Sequence, residues 1–591
     1  MKKFFGNVLA VVVGNVLTFT LIALAVSCIV LFSMAGEWFQ TKGPKDGSVL
    51  EITFDSPVKE STMDNEVSLF SPPPGSETYF REIIRSIEAA KKDDKIKGIS
   101  LKVQNFQGGT SQITDVRNAL KDFKSSGKFI YAYSHNATQG AYYLNSVADS
   151  VFQNPMGMVL VQGLSAEVMF FKNFGDKYGV DFQVIRHGAY KSAVEPYLRE
   201  DLSPENREQL SVLLNDIWGN FSSDIAQSRK LSNEDFNKIV DSLYSFNPTK
   251  ALQHKLVDKI SHEAEYKKAL ADRLELETEK DKTIDEVLEK HTIALTDYAT
   301  TLKPEKGKDQ VAVLYASGTI MPGESYSGIQ SEVYKKAIKD LKEDEKVKAV
   351  VLRINSPGGS ADASEEILYE LRELRKEKPV IVSFGDVAAS GGYYIAMEAD
   401  SIFTSPNTIT GSIGVLGMIP SVQKLVNNVG ITTDYVNTNQ NSDFLKTPFK
   451  PMTETGIQTM TLMTESVYET FVRHVMKARG MTFEQVDSIG GGRVWSGEQA
   501  VKLGLVDRMG TLDDAIMAAA RLAELDNYSV MSYPFRKGGL EEFLQEYQGT
   551  KAETMVRQEL GQEYFQLYQE LKFMREFKGI QLRMEYNIHL N

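Results

Sequence analysis

Residues 389–403 read ASGGYYIAMEADSIF, which puts a serine, Ser390, directly before two glycines where an apolar run (IVSF) gives way to a helix-like stretch. A residue there sits at or beside a helix N-terminus, where free N–H groups and the helix dipole favour negative charge, and Gly391 gives a substrate close access to that backbone. Taken alone, such a serine is equally well explained as a helix cap. A second segment, NSPGGS (355–360), shifts the balance towards catalysis. A strand ending in Pro-Gly-Gly presents unencumbered amides to a developing oxyanion, and the Gly391 amide can supply a second donor. Neither segment is GxSxG, so the nucleophile elbow of the α/β-hydrolases is excluded as the template.

A serine nucleophile needs a base, most often a histidine. The chain has seven histidines, and none falls between His291 and His474, the stretch that holds Ser390. His187 is available only from a distant part of the chain. The other base open to such a serine is a lysine kept neutral by burial, because desolvation disfavours the charged form. Composition does not say which of the many lysines that is.

The elements that must hold Ser390 follow from periodicity. VKAVVLRI (347–354) is a short β-rich apolar run, SEEILYELRELRKEKP (364–379) has helical spacing and stops at a proline, and VIVSFGD (380–386) is another buried strand. Strand, helix and strand joined by short turns imply parallel βαβ units, hence an α/β layered domain.

That unit occurs twice. TQGAYYLNSVADSVF (138–152) matches the Ser390 segment at 7 of 15 positions but carries Gln139 in the serine's place. DDKIKGISLKV (93–103) matches DEKVKAVVLRI (344–354), NFQGGT (105–110) matches NSPGGS, and ALQHKLVDKI (251–260) matches AVKLGLVDRM (500–509), all at spacings of 249 to 251. So steady a spacing marks a duplicated domain. The expected organisation is an N-terminal stub and anchor (1–44), a first repeat (45–275), a helical linker (276–307), a second repeat (308–530) and a helical tail (531–591). The tail's aromatic and leucine stripe is expected to pack on the body or on a neighbouring subunit.

At 591 residues, 42% hydrophobic and 25% charged, the chain suits several packed domains. A net charge of -13, with lysines interleaved among acids, argues against a nucleic-acid partner. Its one cysteine, Cys28, excludes intrachain disulfides and cysteine-rich metal sites. Residues 8–34 are almost entirely apolar, follow Lys2 and Lys3, and are long enough to cross the roughly 30 Å hydrocarbon layer. The run continues past AVSC (25–28) without a small-x-small exit, so a retained single-pass anchor is expected rather than a cleaved signal. Positive-inside reasoning puts the N-terminus in the cytoplasm and the bulk of the chain on the far side.

ASGGYY, NSPGGSADASE, TGSIGVLG (410–417) and GAYKSAVEPY (188–197), behind an N-terminal anchor, resemble the signal peptide peptidase A (protease IV) family in its long two-repeat form, over nearly the whole chain. The resemblance implies the Clp/crotonase-like fold in two tandem copies, a bacterial inner-membrane location with a periplasmic catalytic part, and a Ser-Lys protease that degrades released signal peptides and other apolar peptides. It implies Ser390 as nucleophile, Lys191 as general base and Ser412 as the residue that positions the lysine. It also implies oxyanion donors at Gly391 and at one of Gly358 and Gly359, with Gly359 preferred. No metal or organic cofactor is expected, and a homo-oligomer, a tetramer by the family's pattern, is.

The two copies have lost complementary residues. Aligned through Pro196 and Pro448, Lys191 faces Asp443, and at the 251-residue spacing Ser412 faces Val161. The first copy keeps the lysine without the serine, and the second keeps the serine without the lysine. This pattern is functional only if the two residues meet across the copies, one dyad per pair. Two other readings make different predictions. An acyl-CoA enzyme of the crotonase type needs no nucleophile, so Ser390→Ala is then nearly neutral. An inert membrane scaffold has no reason to keep Ser390, Lys191 and Ser412 together.

Overall fold

The computed structural model describes residues 14–22, 24, 43–61, 79–277, 283–303, 305–324, 328–534 and 580–584. The strand Val347–Ser356 shows why the second copy folds as it does. Its alternate residues face two different helical layers, as the period of two requires. Val350 and Leu352, with Val380 and Val382, pack on Ile338, Leu341, Ile367 and Leu371. Val351, with Val311, Val313 and Ile381, packs on Leu512, Ala515, Ile516 and Ala519. A strand covered on both faces reads as a continuous apolar run, which is what VKAVVLRI is.

In this sheet the spatial order is Val494–Ser496, Ile409–Gly411, Val380–Ala389, Val347–Ser356, Asp309–Ser317 and Tyr528–Tyr533. All neighbours are parallel except the first pair. The outermost strand, Tyr528–Tyr533, straddles residue 530, where the sequence suggests the second repeat ends. The helix Ala361–Arg375 starts at Ser360, whose side chain accepts from the Ala363 amide, and carries Arg372 and Arg375 in its last turn, where cations suit the dipole.

The first copy repeats the plan in a parallel sheet ordered Lys259–Ile260, Ser150–Val159, Phe129–Ala137, Ile96–Leu101, Ser48–Ile52 and Thr292–Ala294. The last strand comes from the expected helical linker, which thus closes the edge of this sheet between two short helices, Ile284–Glu289 and Leu295–Thr301. Framework bonds are duplicated with the fold. The carboxylate of Asp149 accepts from the Ile130 amide and that of Asp400 from the Val380 amide, each at 2.8 Å. Tyr142 donates to the Leu256 carbonyl and Tyr393 to that of Leu505.

A third sheet joins the copies. Its order is Ile329–Gln330, Ile320–Met321, Gly358–Ser360, Ile580–Arg583, Val415–Ser421 and Asp181–His187. The last strand belongs to the first copy and runs antiparallel to Val415–Ser421 of the second. The strand Ile580–Arg583 corrects the expectation of a wholly helical tail: four residues of it pair with strands on both sides. The rest of the tail, residues 535–579 and 585–591, lies outside the described residues. So does most of the apolar N-terminal run, of which residues 14–22 are helical. Among the described residues no helix is long and apolar enough to cross a membrane.

Candidate active site

Ser390 is the last residue before the four-residue helix Gly391–Tyr394, at the end of the strand Val380–Ala389. Its backbone has φ 55° and ψ -114°, a conformation that costs a non-glycine residue about 1–3 kcal/mol. It is held by the Ser390 amide donating to Gly411 at 2.8 Å and by the Tyr394 amide donating to Ser390. The small helix is braced from behind: the Tyr394 hydroxyl donates to Glu365, which also meets His474 at 3.2 Å. Burial pushes the Glu365 carboxyl up, but hydrogen bonds from His474 and Tyr394 leave it below the usual range.

Lys191 comes from the first copy. The strand Asp181–His187 leaves its own sheet and pairs with Val415–Ser421, with His187 opposite Val415, which carries the following loop into the second copy. The Lys191 ammonium nitrogen, Nζ, lies 2.9 Å from Ser390 Oγ and 2.8 Å from Ser412 Oγ. Lys191 and Ser390 are 0% exposed and Ser412 1%. The residues singled out by complementary loss therefore meet within one chain. Ser412 follows the strand Ile409–Gly411 with φ 50°, and its amide donates to the Arg493 carbonyl.

The two glycine segments also converge. A Cβ on Gly391 would stand 3.1 Å from both Gly358 Cα and the Gly359 nitrogen, and one on Gly358 would stand 2.6 Å from the Gly391 nitrogen. Gly358 has φ 96°, where glycine is favoured. Only glycines let these amides approach so closely.

Several residues hold the lysine loop, and one of them, Gln209, lies outside every motif. Gln209, on the helix Pro204–Arg229, donates to the Tyr190 carbonyl (3.2 Å) and to Ser192 Oγ (2.9 Å), one residue either side of Lys191, and accepts from the Val494 amide (3.3 Å). Glu195, 1% exposed, accepts from the Ser203 amide and from Asn206 Nδ2, fixing the end of the lysine loop. Arg186 donates to the Lys191 carbonyl. His187 stacks on Tyr468 at 3.8 Å between ring centroids, a packing role. Gly414 and Gly492 flank the lysine stem: a Cβ on Gly414 would lie 3.3 Å from Lys191 Cδ, and one on Gly492 2.6 Å from the Lys191 nitrogen.

The matching place in the first copy is filled. Gln139 accepts from the amides of Gln162 and Gly163 and donates to the Gly163 carbonyl. Its glycine segment is covered by Asp386 of the second copy, which accepts from the Ser111 amide at 2.8 Å and occupies the space where a Cβ on Gly109 would stand. Asp443 pairs with Lys450 at 2.8 Å. Among the described residues no group of His, Cys, Asp and Glu is arranged to hold a metal ion.

A model of peptidase family S49 matches residues 122–277 and 372–526, one segment in each copy and together just over half of the chain. The chain belongs to peptidase family S49. A Clp protease model matches residues 303–410. Protease 4 of Salmonella typhi is 38% identical over 463 residues, 76% of this chain and 73% of that protein. Protease 4 of Haemophilus influenzae is 34% identical over 462 residues, 75% of this chain and 72% of its own length. A chloroplastic serine protease SPPA of Arabidopsis thaliana is 31% identical over 490 residues, 81% and 70% of the two chains. This S49 member is a serine protease with Clp-protease-like α/β domains.

Proposed function

We propose that this protease works through a Ser390–Lys191 dyad and cleaves apolar peptides, signal peptides among them, from a single-pass anchor in a bacterial inner membrane. The observation that carries the reading is the buried contact of Lys191 Nζ with the hydroxyls of both Ser390 and Ser412. Removal from water favours the neutral amine, the form able to accept a proton. Lys191 takes the Ser390 proton, and Oγ attacks the peptide carbonyl. The amides of Gly391 and Gly359 stabilise the oxyanion, and the ammonium returns the proton to the leaving amine. Water, deprotonated by Lys191, then releases the acyl-enzyme. Ser412 keeps the amine aimed at Ser390.

The apolar run at residues 8–34 supports the anchor, and the S49 relatives support the peptide substrate. A homo-oligomer, a tetramer by the pattern of the family the chain resembles, is the assembly we expect, and the Clp protease match is in keeping with an oligomer. The test is hydrolysis of a fluorogenic apolar peptide ester by the detergent-solubilised full chain beside Ser390→Ala and Lys191→Ala. Each variant is expected to lose at least about 1,000-fold in kcat, by analogy with removal of the nucleophile or base from a Ser-His-Asp triad. Wild-type rates in either would remove that residue from the chemistry, and in Ser390→Ala would favour a reaction without a nucleophile.

A further inference from the structure

The helices Phe80–Lys92 and Thr110–Lys124 of the first copy meet the start of the helix Leu512–Leu522 of the second around a cavity of about 220 Å³. A cavity of about 150 Å³ already admits a benzene ring, so this one has room for a small organic group. Phe80, Ile84 and Leu512 give it apolar walls; its charged lining is Glu88, Asp115, Asp122, Asp513 and Asp514, with Arg81 the only cation among the described lining residues. Three of the carboxylates are spoken for. Arg81 donates to Asp513 at 3.0 Å and to Glu305 at 2.7 Å, Lys91 donates to Asp122 at 2.7 Å, and Asp514 accepts from the Thr511 amide at 2.9 Å. Glu88 and Asp115 are not: among the described residues neither side chain makes a hydrogen bond or an ion pair. Asp115 is nevertheless only 6% exposed. The duplication shows what it lacks. At the 250-residue spacing that relates NFQGGT to NSPGGS its counterpart is Glu365, which accepts from Tyr394 and meets His474. The tyrosine matching Tyr394 is Tyr143, and it donates to Asp224 instead.

We propose that this cavity binds a small organic cation, an ammonium or guanidinium group on a short aliphatic stem, whose head meets Asp115 and Glu88 while the stem lies against Phe80, Ile84 and Leu512. A buried polar group left without a partner costs about 1–3 kcal/mol, and a cationic donor supplies that partner. Among the described residues no group of His, Cys, Asp and Glu is arranged to hold a metal ion, so a bare divalent ion fits less well. A free amino acid fits less well too, because its own carboxylate would join those already there. Burial pushes the Asp115 carboxyl up to about 8, with Arg353 opposing and Glu60, Asp386 and Asp514 adding to the shift. The other charged groups around it are Arg81 and Glu88 on Phe80–Lys92, Asp122 on its own helix and Asp513 beside Asp514. A cation beside Asp115 favours its ionised form, so a proton leaves as the ligand enters and binding strengthens as pH rises towards about 8. Since both copies line the cavity, a ligand there also holds the seam, and the folded chain gains stability by mass action.

The test is calorimetric titration of agmatine, a guanidinium and a primary ammonium joined by a butyl stem, into the detergent-solubilised full chain beside Asp115→Asn and Glu88→Gln. Agmatine keeps both charges across the pH range used. It is expected to bind the parent with a Kd at or below about 1 mM and to raise its melting point. Asp115→Asn should bind at least tenfold more weakly and Glu88→Gln at least threefold. Arginine, and Mg²⁺ with the same double charge as agmatine, should each bind the parent at least tenfold more weakly than agmatine does. Between about pH 6 and about pH 8 the parent's affinity should rise, and that of Asp115→Asn should rise less. No binding heat at about 1 mM agmatine overturns the site. So does equal affinity for Mg²⁺, which would leave only a diffuse negative surface, and so does unchanged affinity in both variants. Should Asp115→Asn fail to fold, Glu88→Gln, altered at an exposed position, decides together with the pH dependence of the parent.

Discussion

Gly492→Ala tests whether catalysis depends on where Lys191 sits rather than merely on its presence. Gly492 has φ 87°, and a Cβ there would stand 2.6 to 2.7 Å from the nitrogen, Cα and Cβ of Lys191. Backbone cannot yield as a flexible side-chain tip can, so the lysine must retreat by about 0.8 Å to restore an ordinary 3.4 Å contact. A misplacement near 1 Å costs about 100-fold in rate. The left-handed backbone adds about 1–2 kcal/mol of destabilisation for alanine. The expectation is a kcat about 100-fold lower, with KM within about threefold and a melting point only a few degrees down. Gly480→Ala is the control: φ there is 66° and nothing lies within 4 Å of its Cβ, so it carries similar backbone strain without touching the site. It should melt earlier yet keep its kcat. Ester hydrolysis over a range of substrate concentrations spanning KM, with thermal melts on the same samples, measures all three quantities. A folded Gly492→Ala with kcat within twofold of the parent would refute the reasoning, since the lysine would then tolerate displacement.

Two further outcomes follow from the same contacts. Gln209→Leu removes the side chain that ties both neighbours of Lys191 to Val494, leaving the buried Val494 amide unpaired at a cost of about 1–3 kcal/mol; kcat is expected to fall about tenfold with KM nearly unchanged, and a proportional rise in KM alone would contradict a positioning role. Burial pushes the Asp115 carboxyl from 3.8 up to about 8 at the seam between the copies, where Arg353 opposes the shift and Glu60 and Asp386 add to it. The folded chain therefore keeps a proton that the unfolded chain has lost between about pH 4 and pH 8, so this group's contribution is fully present below that window and declines as pH rises through it. Asp115→Asn should flatten the fall in denaturant midpoint between pH 5 and pH 8 by an amount equivalent to a few kcal/mol, and parallel curves for the two proteins would exclude Asp115 as its source.

What was legible in the sequence is what is encoded locally. Ser390 and the glycine pair lie in strand-to-turn segments whose residue types already state their backbone needs, whereas Lys191 and Ser412 were named only by the family resemblance, the alignment of the copies then showing that neither has a counterpart. What was not legible depends on partners far away in the chain. The strand Asp181–His187 reads as any short strand, and nothing local says that it abandons its own sheet for the other copy. Gln209 is one polar residue in a 26-residue helix; its counterpart 250 residues on, Thr459, is exposed. The tail strand hides in a stretch of helical composition because its pairing needs edges contributed by residues 358–360 and 415–421.

The same non-local contacts explain why the lost residues differ between copies. The lysine strand crosses once, from the first copy to the second. A reciprocal crossing would need the segment around Asp443 to approach Gln139, but that segment is bound to the lysine strand's own surroundings. The Met452 amide donates to Gln183, the Val422 amide to the Pro448 carbonyl and the Leu425 amide to the Gly179 carbonyl. Held there, residue 443 has no serine to activate, and the Gln139 place has no base to serve it. The framework residues Asp149 and Asp400 are still needed by both sheets and persist in both copies. A duplicated fold joined by one crossing therefore keeps two scaffolds and one place where Lys191, Ser390 and Ser412 meet.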